Sequence, residues 1–521
     1  MRRLALAGLA AVLALAACGG DDPRPNATPS VPPPTATSSS AAPTATASSG
    51  SPTPSTLAAT IERYGAKKVA WSDCDEGFEC GDLVVPLDYD APDGETITVS
   101  VIRLKARKAS RRIGALVLNP GGPGGSGVEF ARQATSLLPG EVRDRFDVVS
   151  FDPRGVGQST PVDCLNDREL DTLLAIDPSP DDAREKKALF DASREQAAKC
   201  KQRAGRLLPH VGTVDVAKDM DVLREALGDA KLTYLGYSYG TLLGARYAEQ
   251  FPGNVRALVL DGALDPTLSA RQTAKAQAVG FDRALEQFFA ACVRTRCDFA
   301  SHGDIHATYD RLMADVDRSP LPVPGDERRL GPSEALFGVA AALYSPEYGW
   351  PRLRTALEDA YDRDGTQLMA LFDSLVERDG GVFSNSIEAQ AAVLCIDNRH
   401  ERTEAAYAAD EAEFRKVAPR FGPAIAYGAS ACAFWPVPPV SLPGPIHANG
   451  APPIVVVGTT RDPATPYAWS QALASQLPGV LVTYDGDGHT AYGYHRNGCV
   501  EDVIDAYLID LRVPKAGTRC G

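Results

Sequence analysis

Eight short apolar runs, separated by polar, glycine-bearing or helical sequence, constrain what this chain can fold into more than any other feature. They are DLVVPL (82–87), ITVSVIRL (97–104), ALVLN (115–119), FDVVSFD (146–152), LTYLG (232–236), ALVLDG (257–262), PIVVVGT (453–459) and VLVTYDG (480–486). Continuous apolar runs of this length suit strands buried on both faces, and the helical patterns between them suit right-handed crossovers. An α/β fold with a mostly parallel central sheet follows. Between Asp265 and about Gly444 the texture changes. Helical patterns dominate there, as in 270–293 and 368–379, and clear strands are lacking. The expected organisation is a core in two parts, 56–265 and 445–521, with a helical cap over 266–444 inserted between core strands as a lid.

The first residues have a different role. Arg2 and Arg3 precede an apolar run from Leu4 to Ala17 that is too short for an ordinary membrane span. The run ends in Leu-Ala-Ala-Cys18, which resembles the bacterial lipoprotein cleavage motif. Residues 1–17 are then a signal peptide and Cys18 is the lipidated first residue of an exported protein; ordinary secretion with a spare cysteine is the alternative. Residues 18–55 are rich in Pro, Ser, Thr and Ala and read as a disordered linker. The expected location is the cell envelope, on the outer face of the cytoplasmic membrane, with release also open.

Of eleven cysteines, ten remain once Cys18 is set aside. An even set in an exported chain reads as disulfides rather than a metal site. Sequential pairing is the simplest arrangement, because each loop is local: Cys74–Cys80, Cys164–Cys200, Cys292–Cys297, Cys395–Cys432 and Cys499–Cys520. A net charge of −14 argues against nucleic acid and against an anionic membrane surface as partners. Membrane contact is expected through the lipid anchor only.

Ser238 stands in Gly236-Tyr-Ser-Tyr-Gly240, after a strand run and before a helical one. That is the context of a nucleophile elbow, in which a tight turn lifts the hydroxyl to the carboxyl edge of the sheet. A serine nucleophile needs a base, and the base an orienting acid, in the chain order Ser, acid, His. His489 follows the last strand run through a glycine-rich loop and is the favoured base, with His495 as its rival. Asp462, in DPATP after the preceding run, is the favoured acid; Asp261 and Asp265 are alternatives. Asp485 and Asp487 lie too close to His489 in sequence to reach its far nitrogen. Thr465 is placed to cap the next helix or to bond within the site. Oxyanion donors are expected from the Tyr239 N–H and from Gly121 or Gly122 in LNPGGPGGSG. That glycine segment raises a rival reading, since Gly122-x-Gly124-x-x-Gly127 with Asp152 formally matches a dinucleotide fingerprint.

Together Asn119-Pro-Gly-Gly-Pro-Gly-Gly-Ser-Gly127, Asp152-Pro-Arg-Gly-Val-Gly-Gln-Ser159, Gly236-Tyr-Ser-Tyr-Gly240, Asp462-Pro-Ala-Thr-Pro466 and Gly488-His489 resemble the exported tripeptidyl aminopeptidases of actinobacteria. These are α/β-hydrolases related to prolyl aminopeptidases, and the group includes mycobacterial cell-envelope serine hydrolases described as proteases or carboxylesterases. The resemblance implies an α/β-hydrolase fold, a Ser238–His489–Asp462 triad, no metal or cofactor, and release of short peptides from free N-termini. It also implies acidic cap residues that hold the substrate amine. Asp397 is the first candidate and Glu388 the second, a solvated cap carboxylate being the plain alternative for either. Pro120 replaces the histidine of the prolyl enzymes' oxyanion loop, so the resemblance does not by itself imply a strict proline preference. A carboxylesterase using the same machinery is the alternative function.

Overall fold

The computed structural model describes residues 54–75, 77–440, 443–495 and 497–521. The signal segment 1–17, Cys18 and nearly all of the 18–55 linker lie outside the described residues. Regular structure begins inside the expected linker, with a helix over Pro54–Gly65. Proline is tolerated in the first turn of a helix, where an N–H would have no partner in any case.

Ten strands form one sheet: β1 (Ser72–Asp75), β2 (Phe78–Pro86), β3 (Thr96–Leu104), β4 (Gly114–Asn119), β5 (Phe146–Phe151), β6 (Leu232–Tyr237), β7 (Val255–Asp261), β8 (Ile454–Arg461), β9 (Gly479–Asp487) and β10 (Arg519–Cys520). Their order is β1-β2-β3-β5-β4-β6-β7-β8-β9-β10. The pairs β1/β2, β2/β3 and β3/β5 are antiparallel and every later pair is parallel. All eight apolar runs lie in this sheet. Strands β4, β5 and β6 are buried along their whole length, as two covered faces require. The strand order reverses around β4 and β6, and ligands of open α/β sheets bind outside the carboxyl ends of strands at such a reversal.

After Asp261 the chain leaves the sheet, and it rejoins it at Ile454. The intervening helices have a core of their own, built around Phe288, Phe299, Leu336, Leu357, Phe372 and Phe421. The longest spans Ala270–Thr295 and starts from a capping box between Ser269 and Gln272. The cap is not purely helical, contrary to expectation. Two short ladders occur, Leu321–Pro322 with Arg329–Leu330 and Arg378–Asp379 with Val382–Phe383. The helix expected over 368–379 therefore stops at Leu375. Gly380 and Gly381, at φ 56° and 91°, turn the hairpin there, and the Arg378 guanidinium bonds Asp171.

The helix Ser386–Asp397 is bolted to the core at both ends, its last turn through the Cys395–Cys432 disulfide and the Asp397–Thr213 bonds. At its start the Asn385 amide donates to the Gly155 and Val162 carbonyls and accepts from Gly157 N–H. Glu388 accepts from the N–H groups of Cys164 and Leu165 at 2.6 Å each. Disulfides join Cys74–Cys80, Cys164–Cys200, Cys292–Cys297, Cys395–Cys432 and Cys499–Cys520.

Candidate active site

Ser238 follows β6 directly, at φ 54° and ψ −123°, a left-handed conformation that non-glycine residues rarely hold without surrounding support. The support is visible. Ser238 N–H donates to the Asp261 carbonyl at 2.9 Å, and the Ser238 carbonyl accepts from Thr241 N–H at 2.8 Å. The flanking glycines are a steric necessity: a Cβ at Gly236 would lie 2.4 Å from the Gly240 carbonyl, and one at Gly240 would lie 2.7 Å from Asn119 Oδ1. Tyr239 opens the helix Tyr239–Gln250, so its N–H has no carbonyl of its own helix to reach.

The strand ends bring the remaining groups to the same edge. His489 Nδ1 lies 2.9 Å from each Asp462 carboxylate oxygen. Asp462 also accepts from Ala464 N–H, Thr465 N–H and Thr490 N–H at 2.9, 2.8 and 3.3 Å. The Thr465 hydroxyl donates to Asp462 Oδ2 at 2.9 Å and lies 3.3 Å from His489 Nδ1. His489 N–H is held by the Tyr344 carbonyl at 2.8 Å, and the Tyr344 ring stands edge-on to the imidazole at 5.3 Å. Ser238, Tyr239, Gly122 and His489 border one cavity of about 910 Å³ beneath the cap. Its lining is largely apolar, with Leu242, Phe281, Phe337, Tyr344 and Ile387 among the contributors.

Several expected residues take other places. Gly121 packs against the elbow, where a Cβ would meet the Tyr237 carbonyl at 2.5 Å, but its N–H donates to Asn119 Oδ1. Of the two expected donors that leaves Gly122, whose amide has no partner among the described residues. His495 lies outside the cavity lining, stacked on Tyr484 and 3.8 Å from Glu347, and burial pushes its pKa down. Asp265 is occupied by Thr267 and Gln476, and Asp485 and Asp487 pair with Arg461. Glu388 faces the Cys164 segment instead of the cavity, and burial raises its pKa to about 7. Asp397 borders the cavity, but both its oxygens accept from Thr213. Glu388 is turned away from the cavity and Asp397 is already engaged through both oxygens, so neither cap carboxylate is set aside for an amine.

The dinucleotide reading meets a packed wall. A Cβ at Gly124 would lie 2.4 Å from the Ser386 carbonyl, and one at Gly127 would lie 2.1 Å from the Phe151 carbonyl. Asp152 accepts from Ser126, Val128 and Gln158 and is not presented to a ribose. The glycines let protein approach protein. Tyr344 and Asn119 were not anticipated. Asn119 carried a signal, as a polar residue ending a buried strand, whereas Tyr344 carried none.

Residues 114–495 match the model of the alpha/beta hydrolase fold family. Serine protease Hip1 of Mycobacterium tuberculosis is 41% identical over 463 residues, covering 85% of this chain and 87% of that protein. Carboxylesterase B of Mycobacterium tuberculosis is 36% identical over 480 residues, covering 87% and 90%. Tripeptidyl aminopeptidase of Streptomyces lividans is 32% identical over 487 residues, covering 89% and 88%.

Proposed function

We propose, from the premise that the chain belongs to the alpha/beta hydrolase family, that it is an exported serine exopeptidase releasing short peptides, tripeptides foremost, from free N-termini. One observation carries this reading: a serine held at φ 54° on the elbow borders the same cavity as a histidine already bonded to a buried aspartate. The relatives named serine protease and tripeptidyl aminopeptidase support peptide as the substrate. Five disulfides favour an oxidising compartment, in keeping with export and with anchoring through Cys18.

The chemistry is two-step acyl transfer. His489 takes the Ser238 proton as the hydroxyl attacks a peptide carbonyl, and Asp462 fixes the imidazole tautomer and stabilises its cation. The N–H groups of Tyr239 and Gly122 hold the oxyanion, each contributing roughly 3–4 kcal/mol. His489 then protonates the leaving amine, and water cleaves the acyl-enzyme. With Asp397 and Glu388 committed elsewhere, the counter-charge for a substrate amine falls to Glu401, which borders the cavity, or to Asp265, whose bonds to Thr267 and Gln476 all fall on Oδ1. The apolar lining and the carboxylesterase relative favour ester hydrolysis as the second reading.

The test compares kcat/KM for a chromogenic tripeptide amide, its N-acetylated form and a short acyl ester, with Ser238→Ala as control. A preference of about 100-fold for the free amine is expected, corresponding to ~2.7 kcal/mol, and no turnover by the control. Equal amide rates would remove the exopeptidase reading. Turnover of the ester alone would establish an esterase.

A further inference from the structure

Thr213 opens the helix Thr213–Leu227, yet its side chain is shared with the nucleophile elbow. Its hydroxyl lies 2.5 Å from the Tyr239 hydroxyl and donates to Asp397 Oδ2, while its N–H donates to Asp397 Oδ1 at 3.0 Å. Thr213, Tyr239 and Asp397 are only 2%, 6% and 7% exposed. An ionised carboxylate can only accept, so Thr213 spends its single proton on Asp397 and must accept the proton of Tyr239. The donors therefore run one way, from Tyr239 through Thr213 to Asp397. The end of the chain is immobile, because Asn385, Glu388 and the Cys395–Cys432 disulfide fix the helix that carries Asp397.

Tyr239 is the residue whose backbone N–H points out of the helix start beside Ser238. A side chain tied at its far end restricts how that peptide plane can tilt. We propose that the Asp397–Thr213–Tyr239 chain holds the Tyr239 N–H in line with the oxyanion, making Thr213 and Asp397 positioning residues of the acyl-transfer site. The inference rests on the reading of Ser238 as nucleophile. It gives Asp397 a role different from the amine anchor expected of it.

The chain has a polarity that protonation reverses. Burial pushes the Asp397 pKa to about 6, against the pull of the two Thr213 bonds and of Arg246 on the elbow helix; Asp215, on the Thr213 helix, adds to the rise. Tyr239 faces the same group, and burial drives its own pKa up. On Asp397's own segment Arg399 and His400 follow, with the His400 ring bonded to the Leu394 carbonyl at 2.9 Å. Once Asp397 carries a proton it donates to Thr213, Thr213 turns its own proton toward Tyr239, and the Tyr239 hydroxyl loses its acceptor.

The experiment measures phosphonylation of Ser238 by a fluorophosphonate, whose phosphoryl oxygen takes the oxyanion position, together with kcat and KM for p-nitrophenyl acetate between pH 5 and 8. The variants are Thr213→Val, Thr213→Ser, Tyr239→Phe and the Thr213→Val/Tyr239→Phe double. Thr213→Val and Tyr239→Phe should each slow phosphonylation and lower kcat about 10-fold with KM unchanged, less than the loss of a whole oxyanion donor. The double variant should be no slower than the worse single, Thr213→Ser should recover most of the rate, and the wild-type advantage over Thr213→Val should shrink below about pH 6. Lower melting temperatures with unchanged rates, or additive losses in the double variant, would overturn the inference. A wild-type enzyme that reacts elsewhere than Ser238 would remove its premise instead.

Discussion

Asp462 directly follows β8 and Asp261 ends the neighbouring β7, and both are buried, yet their carboxylates meet opposite surroundings. Asp462 collects three backbone N–H groups, the Thr465 hydroxyl and the His489 ring. Asp261 accepts Ala491 N–H at 2.9 Å and Tyr492 N–H at 2.7 Å on one oxygen, and its other oxygen has no partner among the described residues. Burial raises the Asp261 pKa to about 7, with those two N–H groups opposing the rise. The difference originates in the residues that follow each strand. Pro463-Ala464-Thr465 folds straight back and returns its amides to Asp462, whereas Gly262 leads the chain away toward the cap. One strand end becomes a partner for an imidazole; the other becomes a brace. Asp261 ties down the segment after His489 through its carboxylate and the elbow through its carbonyl, which accepts Ser238 N–H.

Exchanging the charges tests that division most severely. Asp462→Asn keeps the shape but offers the imidazole an amide, so kcat should fall by roughly 10⁴-fold through the wrong tautomer. Asp261→Asn leaves the Asp462–His489 contact untouched and should cost no more than about 10-fold, a small share of the catalytic electrostatics. Parallel kinetics on both variants, with melting curves to confirm folding, separate the outcomes. If Asp261→Asn shows the larger loss, the two strand ends have exchanged roles.

Stability against pH sharpens the same contrast. The folded protein keeps the Asp261 proton up to about pH 7, whereas an unfolded aspartate releases it near ~3.9. Across that window the folded state binds more protons. The group's contribution to stability is therefore fully present below about pH 4 and is lost as the pH rises through about 7, by at most ~4 kcal/mol. Urea midpoints measured from pH 4 to 8 should show Asp261→Asn gaining on the wild type as the pH rises. Curves that stay parallel throughout would mean that Asp261 titrates as it does in the unfolded chain.

Both aspartates could be picked out beforehand, since each follows an apolar run, but only one carried a local signal of its role. D-P-A-T is such a signal because the donors and the acceptor belong to the same turn. The elbow was legible for the same reason: Gly236 and Gly240 are required by contacts within the G-x-S-x-G segment and with its neighbouring strand. The sheet was legible because runs covered on both faces must be apolar throughout. What escaped depends on partners distant in the chain. Asp397 meets Thr213 across 184 positions, and His489 N–H meets a cap carbonyl at Tyr344. The Gly121 amide was offered to the oxyanion because nothing in the glycine run reveals that Asn119 folds back to take it. In the cap, helical periodicity carried the expected helix past Val376, because it records which face is apolar and not where the chain must turn to meet Asp171.

The finest distinction between the two strand ends is one hydroxyl. Thr465 supplies Asp462 with a hydroxyl donor for which Asp261 has no counterpart among the described residues. At 3.3 Å the same oxygen is farther from His489 Nδ1 than either carboxylate oxygen, so its main action is to hold the carboxylate and leave the imidazole N–H to Asp462. Thr465→Val preserves the branched shape and the backbone N–H while deleting that donor. A hydrogen bond to a charged group contributes about 1.5–3 kcal/mol, and the three amides remaining on Asp462 compensate for part of it. The expected loss is about 10-fold in kcat, or ~1.4 kcal/mol, with KM unchanged and with Thr465→Ser restoring the rate. A rise in KM would place the hydroxyl against substrate instead. No loss at all would mean that the backbone amides of the turn suffice, so that geometry alone makes Asp462 the partner of His489 and Asp261 the brace.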